Sequence, residues 1–577
     1  MKRLFFSSIP VLLFLAALSY SATQHITPAA NLQSAVNQLT AGDTLFLATG
    51  TYVRDTSLFL LNLKGTSDKP IVVCNEPGQT PIIRYDSLFS VFVLVDSGGA
   101  AMNDITVGNC SFLEIAGLEI TNGRSGIETH YGDNDHITIR DCHIHDVGNV
   151  GIRIATDVET YFRCVHNHIH HTGVHGEGFY VGDNPPDANP RGNPSFCEFV
   201  NNWIHNTANI PSPDNQGDGI ELKSGCRNMT VRNNVIHNTK YPCITLWGTA
   251  GGTLAQNNKV YDNLMFNSKD ADLQVTGETD VFNNIMLNSL DSLRRGISVQ
   301  ENLSSGTRLR LARVFNNTLV NTYAFFENSI NDSDSCSVAN NAVYNAKGYA
   351  VRFSGQVDSA DYGTFSHNII YGTPFFMGDT ITGFSKSTQA LQAFANTNAF
   401  DYYPSANSEL KGAGANLSTF GPLASVDFNG TARGTLWSVG AYQYNAAQPS
   451  NPGWVLKDWG GGFMDTLLTG PNALETFFSG FDTNEPLNIS ASPNPFKSAT
   501  TLTIAGLNAA RRYNPMAGLF LGVYNSRGQL VKNLTPELIR TQGNILRWHS
   551  TSLPADRYFI RLTAGNRSTS QSIIHLQ

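Results

Sequence analysis

A ten-residue stretch near the middle of the chain, QGDGIELKSG from Gln216 to Gly225, concentrates reactive side chains. Asp218, Glu221 and Lys223 lie within six residues of one another. Carboxylates hold cations and a lysine can take up a proton, whereas glycines on both sides are typical of tight turns. The stretch therefore indicates either a catalytic or cation-binding segment or an ordinary polar turn.

One reaction that uses these residue types is β-elimination in a uronate polymer. It needs a base for the proton alpha to the carboxyl group, a positive charge that neutralises this group, and a proton for the leaving oxygen. Asp218, Glu221 and Glu177, the last from GEGFYVGD, are the predicted ligands of Ca²⁺. Lys223 is the predicted base, because partial desolvation and a neighbouring cation would lower its pKa. A surface ion pair between Lys223 and Glu221, and a turn-capping role for Asp218, are the structural alternatives.

An internal repeat must position these residues. Segments such as VRNNVIHNTKYPCITL from Val231 and VFNNTLVNTYAFF from Val314 recur at spacings that are typical of stacked repeat proteins. None shows the helical period of about 3.6 residues, so the sequence predicts an all-β fold, a right-handed parallel β-helix. We expect the recurring asparagines to form a side-chain ladder and to adopt the left-handed conformation of the turn. They are Asn202, Asn234, Asn263, Asn284, Asn317 and Asn341.

Strand residues alternate between the packed interior and the outer face, which allows the strands after each turn to be aligned. Inward pairs such as Ile220 and Leu222 leave one outward column. This column contains Arg153, Tyr180, Glu221, Lys223, Trp247 and Gln274. We expect Arg153 to act with Lys223 in catalysis. The predicted substrate-binding residues are Tyr180, Trp247, His175, Asp183 and Gln274, with the two aromatic rings as platforms for sugars.

Two insertions, DNPPDANPRGNP and TANIPSPDNQ, lie directly beside these strands in the sequence. Long loops on a rigid scaffold often form the walls of a binding groove. The sequence therefore predicts a groove along the outward column.

Histidines and cysteines are frequent but form no recognisable metal motif. His143, His145, His168 and His170 recur at turn and strand positions, and we interpret them as scaffold rather than metal ligands. Eight cysteines are scattered singly without a CxxC pair, which disfavours a zinc cluster. Disulfides and buried free thiols are both compatible with this pattern.

The two ends of the chain differ from the repeats. Residues 1–21 contain two basic residues, an apolar run and small residues, which is the pattern of a secretory signal peptide. The β-helix is predicted over 22–445, with an N-terminal capping helix around Leu32, and is followed by a linker over 446–487. Residues 488–577 alternate apolar and polar side chains between turns, which predicts a small antiparallel β-sandwich.

Charge and hydropathy narrow the possible partners. The net charge is −8 and charged residues make up 15% of the chain, so nucleic-acid binding is not expected. No later segment reaches the roughly 18 consecutive apolar residues of a membrane span, so we expect no transmembrane segment in the mature chain. The sequence predicts an exported, monomeric protein.

The C-terminal unit has a more specific signature. Its motifs SPNPF, VYNSRGQLV and LPADRYFIRL resemble those of the C-terminal sorting domain of type IX secretion substrates. The resemblance implies the type IX secretion machinery as a partner, passage through the periplasm, and either secretion or attachment to the outer cell surface. A carbohydrate-binding sandwich is the alternative.

The central stretch also resembles a known family. DGIELKS is similar to a segment of chondroitinase-B-like and alginate-lyase-like β-helix lyases, in which an acidic calcium ligand lies five residues before the catalytic lysine. The resemblance implies these roles for Asp218 and Lys223. GEGFYVG and GDGIELKSG are also similar to segments of pectate lyases that use a lysine base and acidic calcium ligands. One departure is Trp247, because the family has an arginine one coil after the lysine.

Three functions fit these features. The first is a polysaccharide lyase that acts on an acidic plant or algal polysaccharide or on a glycosaminoglycan, with Ca²⁺ as cofactor. The second is a glycoside hydrolase that uses two of Glu177, Asp218 and Glu221 as paired carboxylates. The third is a non-catalytic β-helix that binds glycans or mediates adhesion.

Overall fold

The computed structural model describes residues 21–86, 103–155, 158–183, 193–209, 216–248, 256–287, 295–299, 311–322, 336–357, 364–378, 382–397, 401–447, 488–505, 520–525, 530–534, 545–549, 553–564 and 567–576. The predicted signal peptide and linker lie almost entirely outside these residues. Helical segments are short. Within the described residues they are α1 (Leu32–Val36) and three 3-10 helices at Ala390–Ala393, Ser418–Phe420 and Pro422–Ser425.

Strands dominate the described residues. The N-terminal coils contain β1 (Thr23–Ile26), β2 (Thr44–Leu47), β3 (Gly50–Arg54), β4 (Leu58–Leu61), β5 (Ile71–Asn75), β6 (Pro81–Tyr85), β7 (Ile105–Gly108), β8 (Ser111–Ala116), β9 (Glu119–Thr121), β10 (Ile127–Thr129), β11 (Asn134–Arg140) and β12 (His143–His145). The central coils contain β13 (Ile152–Ile154), β14 (Glu159–Thr160), β15 (Arg163–Val165), β16 (His168–His170), β17 (Phe179–Val181), β18 (Glu198–Val200), β19 (Trp203–His205), β20 (Ile220–Leu222), β21 (Thr230–Arg232), β22 (Val235–His237), β23 (Ile244–Leu246), β24 (Asn258–Tyr261), β25 (Leu264–Phe266), β26 (Leu273–Val275), β27 (Thr279–Phe282), β28 (Ile285–Leu287) and β29 (Ile297–Val299). The later part of the stack and its cover contain β30 (Ala312–Phe315), β31 (Thr318–Val320), β32 (Cys336–Ala339), β33 (Ala342–Val357), β34 (Thr364–Ser366), β35 (Asn368–Gly378), β36 (Phe384–Lys386), β37 (Phe394–Asn396) and β38 (Asp401–Pro404). The C-terminal unit contains β39 (Asn488–Ser492), β40 (Ala499–Ala505), β41 (Phe520–Tyr524), β42 (Leu530–Asn533), β43 (Ile545–His549), β44 (Asp556–Ala564) and β45 (Arg567–His575).

Strands β1 to β36 stack into three parallel sheets. The first sheet runs through β1, β2, β5, β8, β11, β15, β18, β21, β24, β27, β30, β32 and β34, with β14 beside β11. The second runs through β4, β7, β10, β13, β17, β20, β23, β26 and β29. The third runs through β3, β6, β9, β12, β16, β19, β22, β25, β28, β31, β33, β35 and β36. Through β29 each coil visits the first, third and second sheets in turn, and the described strands β30 to β36 belong to the first and third sheets. This arrangement confirms the predicted all-β parallel β-helix.

Inward aliphatic side chains, stacked coil on coil, form the core. In the second sheet Ile152, Phe179, Ile220 and Ile244 are Cα partners, and none is exposed to solvent. Complete burial of such a side chain contributes roughly 1.5–3 kcal/mol relative to exposure. The inward positions predicted from the alternation are therefore confirmed.

Asparagine amides form a hydrogen-bonded ladder in the turn between the first and third sheets. Asn234 donates from its backbone N–H and from Nδ2 to Oδ1 of Asn263, at 3.0 and 2.9 Å. The same pattern links Asn167, Asn202, Asn234, Asn263, Asn284, Asn317, Asn341 and Asn368. The predicted ladder is confirmed and extends one step further at each end.

The left-handed residue of this turn is not the ladder asparagine, and this part of the prediction was wrong. Positive φ angles of 55°, 56° and 52° occur at Asn201, Asn233 and Asn283, each directly before a ladder residue. Asparagine tolerates this conformation better than most residues. The first member of each pair therefore makes the turn, and the second hydrogen-bonds along the stack.

The capping helix at the N-terminal end is confirmed. Asn31 accepts a hydrogen bond from the Ser34 N–H at 3.0 Å, which caps α1, and Leu32 and Val36 are buried in the main core. A terminal coil would otherwise expose its apolar interior. Strand β1 precedes the helix and pairs with β2, so the stack begins before its cap.

After β36 the chain leaves the stack, although repeats were predicted to 445. Strands β37 and β38 pair in antiparallel fashion. Tyr402, Phe428 and Tyr442 share an apolar cluster with Leu264 and Ile285. Residues 401–447 therefore cover the outer side of the third sheet instead of adding coils.

The C-terminal unit consists of two antiparallel sheets. Their strand orders are β39-β40-β43 and β42-β41-β44-β45. Leu502, Leu521, Trp548 and Ile560 belong to its own apolar core. The predicted small antiparallel unit is thus present, and its sorting role stays a prediction.

All eight cysteines are buried free thiols. Burial raises the pKa of Cys142 to about 12, which makes its thiolate scarce and the residue unreactive. The sequence was compatible with disulfides or with buried free thiols, and the structure contains free thiols. Among the described residues, no helix combines the length and apolar character of a membrane span.

Candidate active site

The second sheet carries the predicted outward column. Parallel pairing places Arg153, Tyr180 and Glu221 at one register position on β13, β17 and β20. The same position continues through Thr245 and Gln274. Because neighbouring strands lie about 4.8 Å apart, these residues form a row along the outer face of the sheet. The alignment predicted from the sequence is confirmed.

Two carboxylates reach this row from the turns before the strands. Glu177 and Asp218 each lie two positions before the first inward residue of β17 or β20, so they occupy equivalent places on adjacent coils. The preceding Gly176 and Gly217 have φ angles of 89° and 85°. A Cβ at Gly217 would also lie 2.5 Å from the side chain of Ala208. Glycine is therefore required in this turn, and GEGF and GDGI place their carboxylates side by side.

Glu177, Asp218 and Glu221 form a buried acidic cluster. One oxygen of each lies within 4.8 Å of the others, and the residues are 0%, 3% and 2% exposed. Both oxygens of Glu177 and Oε2 of Glu221 accept no hydrogen bond from the described residues. Buried carboxylate oxygens without a donor are costly. The cluster therefore needs a compensating charge or proton.

Burial and mutual repulsion change the protonation of this cluster. Burial, followed by the charge of Glu221, raises the pKa of Glu177 to about 8. Burial and the charges of Glu221 and Glu177 also raise the pKa of Asp218 well above its ordinary value. This occurs although Thr245 donates a hydrogen bond to Oδ1 of Asp218 at 2.5 Å. Without a cation, the cluster retains protons near neutral pH.

Lys223 is buried against the acidic cluster. It is 3% exposed, and its Nζ donates to Oε1 of Glu221 at 2.5 Å. Burial alone would lower the pKa of Lys223, but the charges of Glu221 and Tyr180 and the hydrogen bond to Glu221 raise it above its ordinary value. One alternative is corrected: the ion pair is buried rather than at the surface. The negative charge of the surrounding groups raises the pKa of Lys223, and its lowering by a bound cation stays a prediction.

Two aromatic residues border the ion pair. Trp247 donates from Nε1 to Oε1 of Glu221 at 2.9 Å. The Nζ of Lys223 lies 4.7 Å from the centroid of the Tyr180 ring. Both aromatic side chains are partly exposed. The predicted platforms thus flank the charged pair and remain accessible to a ligand.

Arg153 extends the row on the other side of Tyr180. Its guanidinium carbon lies 5.5 Å from the Tyr180 ring centroid. Its Nη1 and Nη2 donate to Glu128 and Asp183, each at 2.9 Å. Arg153 is therefore held in place by two carboxylates, and the tyrosine ring has one cationic group on each side, the other being Lys223.

The remaining predicted substrate-binding residues lie at the edge of the cluster. His175 is exposed in the turn before Glu177, and its backbone N–H donates to Oδ1 of Asn149 at 3.2 Å. Gln274 is half-buried two strands beyond Glu221. The two insertions predicted to form groove walls lie mostly outside the described residues, at 184–192 and 210–215.

Sequence reasoning also placed Glu128 and Thr245 on the outward column but assigned them no role. Glu128 is the register partner of Arg153 and forms an ion pair with it. Thr245 is the register partner of Glu221 and donates to Asp218. Both were on the aligned column, so the register was the available signal. Their roles depend on side-chain directions between coils, which alternation alone does not give.

The donor set of the acidic cluster fits the predicted calcium ligands. Ca²⁺ takes about six to eight oxygen ligands, many of them carboxylate oxygens. Glu177, Asp218 and Glu221 offer two oxygens each, and three of these lack a donor among the described residues. A bound cation would also offset the buried negative charge. These residues therefore suit Ca²⁺, because they supply carboxylate oxygens and because their buried negative charge requires compensation.

Part of the β-helix is similar to a known family of right-handed β-helices. Residues 17–181 match a family model described as "Pel9A-like, right handed beta helix region". The match confirms, over that part of the chain, the resemblance to lyase-like right-handed β-helices that the motifs predicted. It covers less than half of the chain and ends before Lys223.

Individual relatives are distant or cover little of the chain. Pectate lyase PEL9 of Emericella nidulans is 30% identical over 111 residues, which are 19% of this chain and 27% of that protein. The chain therefore matches about a quarter of the length of this curated relative. The match is therefore a similarity between segments of the two proteins.

The similar solved structures are distant in sequence. Pectate lyase Pel9A is 16% identical, with a TM-score of 0.41, over 74% of this chain and 98% of its own. A variant of the PL6 family alginate lyase AlyGC is 14% identical, with a TM-score of 0.45, over 74% of this chain and 60% of its own. The β-helix assignment rests on the strand register of the chain itself.

Proposed function

We propose that the chain is a polysaccharide lyase that cleaves an acidic, uronate-containing polymer by β-elimination at the Lys223 cluster. The observation that carries the proposal is a buried lysine paired with one of three clustered, buried carboxylates on the outer face of a β-helix. Buried charges of this kind are costly, and perturbed ionisable groups concentrate at functional sites. The match to a pectate-lyase-like family model supports the same class.

Lys223 is the proposed base for the proton alpha to the uronate carboxyl group. Only its neutral form can accept a proton, and the raised pKa of Lys223 disfavours that form while Glu221 and its neighbours are uncompensated. Compensation of the carboxylates lowers the pKa of the lysine, because the opposite charges that stabilise its ammonium are then neutralised. The base is therefore active only when the acidic cluster holds a cation.

Ca²⁺ bound by Glu177, Asp218 and Glu221 would supply positive charge that neutralises the substrate carboxylate and weakens the negative field around Lys223. Arg153 is proposed to bind a carboxylate of the polymer. A guanidinium has five N–H donors, and the hydrogen bonds to Glu128 and Asp183 leave some available.

Tyr180 and Trp247 are proposed to position the sugar that is cleaved. Burial raises the pKa of Tyr180 to about 12, so its phenol stays protonated and can donate to the leaving oxygen. Trp247 offers a ring on which a sugar can stack. His175, Asp183 and Gln274 are proposed as further contacts along the polymer.

One observation favours a second candidate, a retaining glycoside hydrolase. Burial and the charge of Glu221 raise the pKa of Glu177 to about 8, which is the property of a general acid. The cluster's oxygens lie within 4.8 Å of one another, closer to the separation of about 5–5.5 Å in retaining enzymes than to the roughly 6.5–9.5 Å in inverting ones. Glu221 would be the nucleophile in that reaction.

Product chemistry distinguishes the candidates. The chain without residues 1–21 is incubated with pectate, alginate and glycosaminoglycans, with Ca²⁺ or with a chelator. A lyase yields an ultraviolet-absorbing unsaturated uronate together with new reducing ends, whereas a hydrolase yields reducing ends alone. We expect the unsaturated product, and we expect the chelator to abolish it. Absence of both products on a broad panel would favour a glycan-binding or adhesive β-helix.

We also propose that the chain is exported as a monomer and that residues 488–577 direct its sorting by the type IX secretion machinery. The antiparallel sheets and separate apolar core of this unit support an independent role. Deletion of 488–577 in a host with that machinery should leave the β-helix in the periplasm. Delivery of the truncated chain to the medium or cell surface would contradict the sorting role. Light scattering of the purified protein measures its molar mass and so tests whether it is a monomer.

A further inference from the structure

In the described residues the third sheet carries six histidines on its outer face, away from the Lys223 cluster on the second sheet. Four of them cluster on two adjacent strands, and His205 on the next strand lies 2.9 Å from His168 through their Nε2 atoms. Strand β12 contributes His143 and His145, and β16 contributes His168 and His170. The strands pair in parallel, with His143 opposite His168 and His145 opposite His170. The isoleucine between the two histidines of each strand is buried in the core. By strand alternation, all four imidazoles therefore lie on the outer side of the sheet.

These rings approach one another through their nitrogen atoms. The Nε2 atoms of His143 and His170 are 2.8 Å apart, and the rings of His143 and His168 stack with centroids 4.7 Å apart. One ring nitrogen of each of these three residues lies within 4.8 Å of the other two. A zinc ion with tetrahedral bonds of about 2.0–2.1 Å would hold its ligand nitrogens roughly 3.3 Å apart. The Nε2 atoms of His143 and His170 are already near that spacing, and rotation of the stacked His168 ring would direct its nitrogen to the same ion.

We propose that His143, His168 and His170 bind a divalent transition-metal ion of the zinc, nickel or copper type. Imidazole nitrogens suit these ions, whereas Ca²⁺ prefers oxygen ligands, so this site and the acidic cluster select different metals. The ligands come from two adjacent coils, and the ion therefore links those coils on the outside of the stack. The inference does not depend on the proposed lyase activity.

The surroundings of the histidines suit a bound cation. His145 lies between Oε1 of Glu119, at 3.3 Å, and Oδ2 of Asp146, at 2.8 Å. A carboxylate oxygen of Glu119 is also within 4.8 Å of ring nitrogens of His143 and His145. The two carboxylates offset positive charge beside the histidines.

The test uses the full mature chain, purified without a histidine tag and stripped with a chelator. Titration with Co²⁺ should produce ligand-field absorption that Zn²⁺ displaces, with one ion per chain at this site. His143→Gln and His170→Gln should each weaken binding at least about tenfold, since loss of even an outer-shell partner has an effect of that size. His25→Gln is the matched control, because His25 is an exposed histidine on the first sheet, and it should bind as the parent does.

A second variant separates this site from the acidic cluster. The double change Asp218→Asn with Glu221→Gln should leave the cobalt absorption intact. Circular dichroism checks that each histidine variant retains its β-structure. The proposal is overturned by absence of the band in the parent, by a band that persists unchanged in both histidine variants, or by a band that the double acidic variant loses.

Discussion

The asparagine ladder and the acidic cluster are both buried polar arrays of one β-helix, yet only the ladder satisfies its own hydrogen bonds. Oδ1 of Asn263 accepts from the backbone and side chain of Asn234, and its Nδ2 donates to the Val231 carbonyl and to Asn284. In the acidic cluster, neither oxygen of Glu177 accepts a hydrogen bond from the described residues.

This difference separates structural from functional burial. A complete network of neutral amides stabilises the stack and fixes its register. A group of buried carboxylates with unpaired oxygens opposes folding unless something else binds there. The β-helix tolerates the unfavourable acidic cluster because the asparagine ladder stabilises many of its coils. Substitutions in the two arrays should therefore have opposite consequences for stability and activity.

The largest effect is expected for Lys223→Ala. Loss of the proposed base should lower kcat on the cleaved polymer by about 10³-fold, within the usual contribution of general base catalysis. Because the variant removes a positive charge next to the acidic cluster, it should bind Ca²⁺ at least as tightly as the parent. Steady-state kinetics and calcium titration by calorimetry check the two parts.

Lys259→Ala is the matched control for this prediction. Lys259 is an exposed lysine on the first sheet, so its loss should leave kcat unchanged. Full activity of Lys223→Ala would show that the buried lysine serves the scaffold, as the ladder does, and would remove it from the mechanism.

The next largest effect is expected in the ladder. Asn263→Ala leaves two donors of Asn234 without an acceptor and removes a donor from the Val231 carbonyl. Buried groups left unpaired cost roughly 1–3 kcal/mol each, so the free energy of unfolding should fall by about 3 kcal/mol. Denaturant unfolding measures this, with the exposed Asn407→Ala as control. A change below that of the control would mean that the ladder does not stabilise the stack.

The sequence was sufficient to predict the ladder and the outward row because both follow from local rules. A strand period of two fixes which residues face inward, and repeated Asn pairs mark the same turn in each coil. It did not reveal which asparagine of a pair is left-handed, since Asn233 and Asn234 have the same intrinsic tolerance. That choice depends on which amide can reach the neighbouring coil.

The burial of the site could not be predicted in the same way. Glu221 and Lys223 occupy outward positions, yet Trp247 and Tyr180 from adjacent coils enclose them. Trp247, which lies 26 positions from Glu221, and Tyr180, which lies 43 positions from Lys223, therefore limit the exposure of the pair. Alternation within their own strand does not show this burial. Burial by these rings lowers the pKa of Lys223, but the charges of Glu221 and Tyr180 and the hydrogen bond to Glu221 outweigh it and raise the pKa above its ordinary value.

A smaller effect, of opposite sign to that in the ladder, is expected for Glu177→Gln in the absence of Ca²⁺. The pKa of Glu177 is raised from 4.5 to about 8 in the folded protein. Between these values the folded protein holds a proton that the unfolded chain has released, so stability falls as pH rises through this window. Glutamine has no such proton, so the variant should be more stable than the parent at pH 8.

Thermal unfolding in chelator at pH 5 and pH 8 measures this prediction. The parent should lose stability between the two values, and Glu177→Gln should lose less, with Asp218 accounting for the remaining slope. Saturating Ca²⁺ should reverse the order, because the parent binds the ion with one more carboxylate. Destabilisation of Glu177→Gln at pH 8 in chelator would indicate that the acidic cluster is as complete as the ladder.

The smallest effect is expected for Trp247→Phe. The change keeps an aromatic platform and removes the indole N–H that donates to Oε1 of Glu221 at 2.9 Å. Lys223 still holds the same oxygen, so Glu221 is not left unpaired and the unfolding midpoint should barely change. Orientation of the carboxylate should loosen, which lowers kcat about threefold, the equivalent of less than one ordinary hydrogen bond.

Trp203→Phe is the matched control, because Trp203 donates from its indole to Nε2 of His237 at 2.9 Å on the third sheet. That variant should lose stability without losing activity. Equal behaviour of the two tryptophan variants in both assays would mean that the indole bond of Trp247 belongs to the scaffold, and that the functional array ends at Glu221.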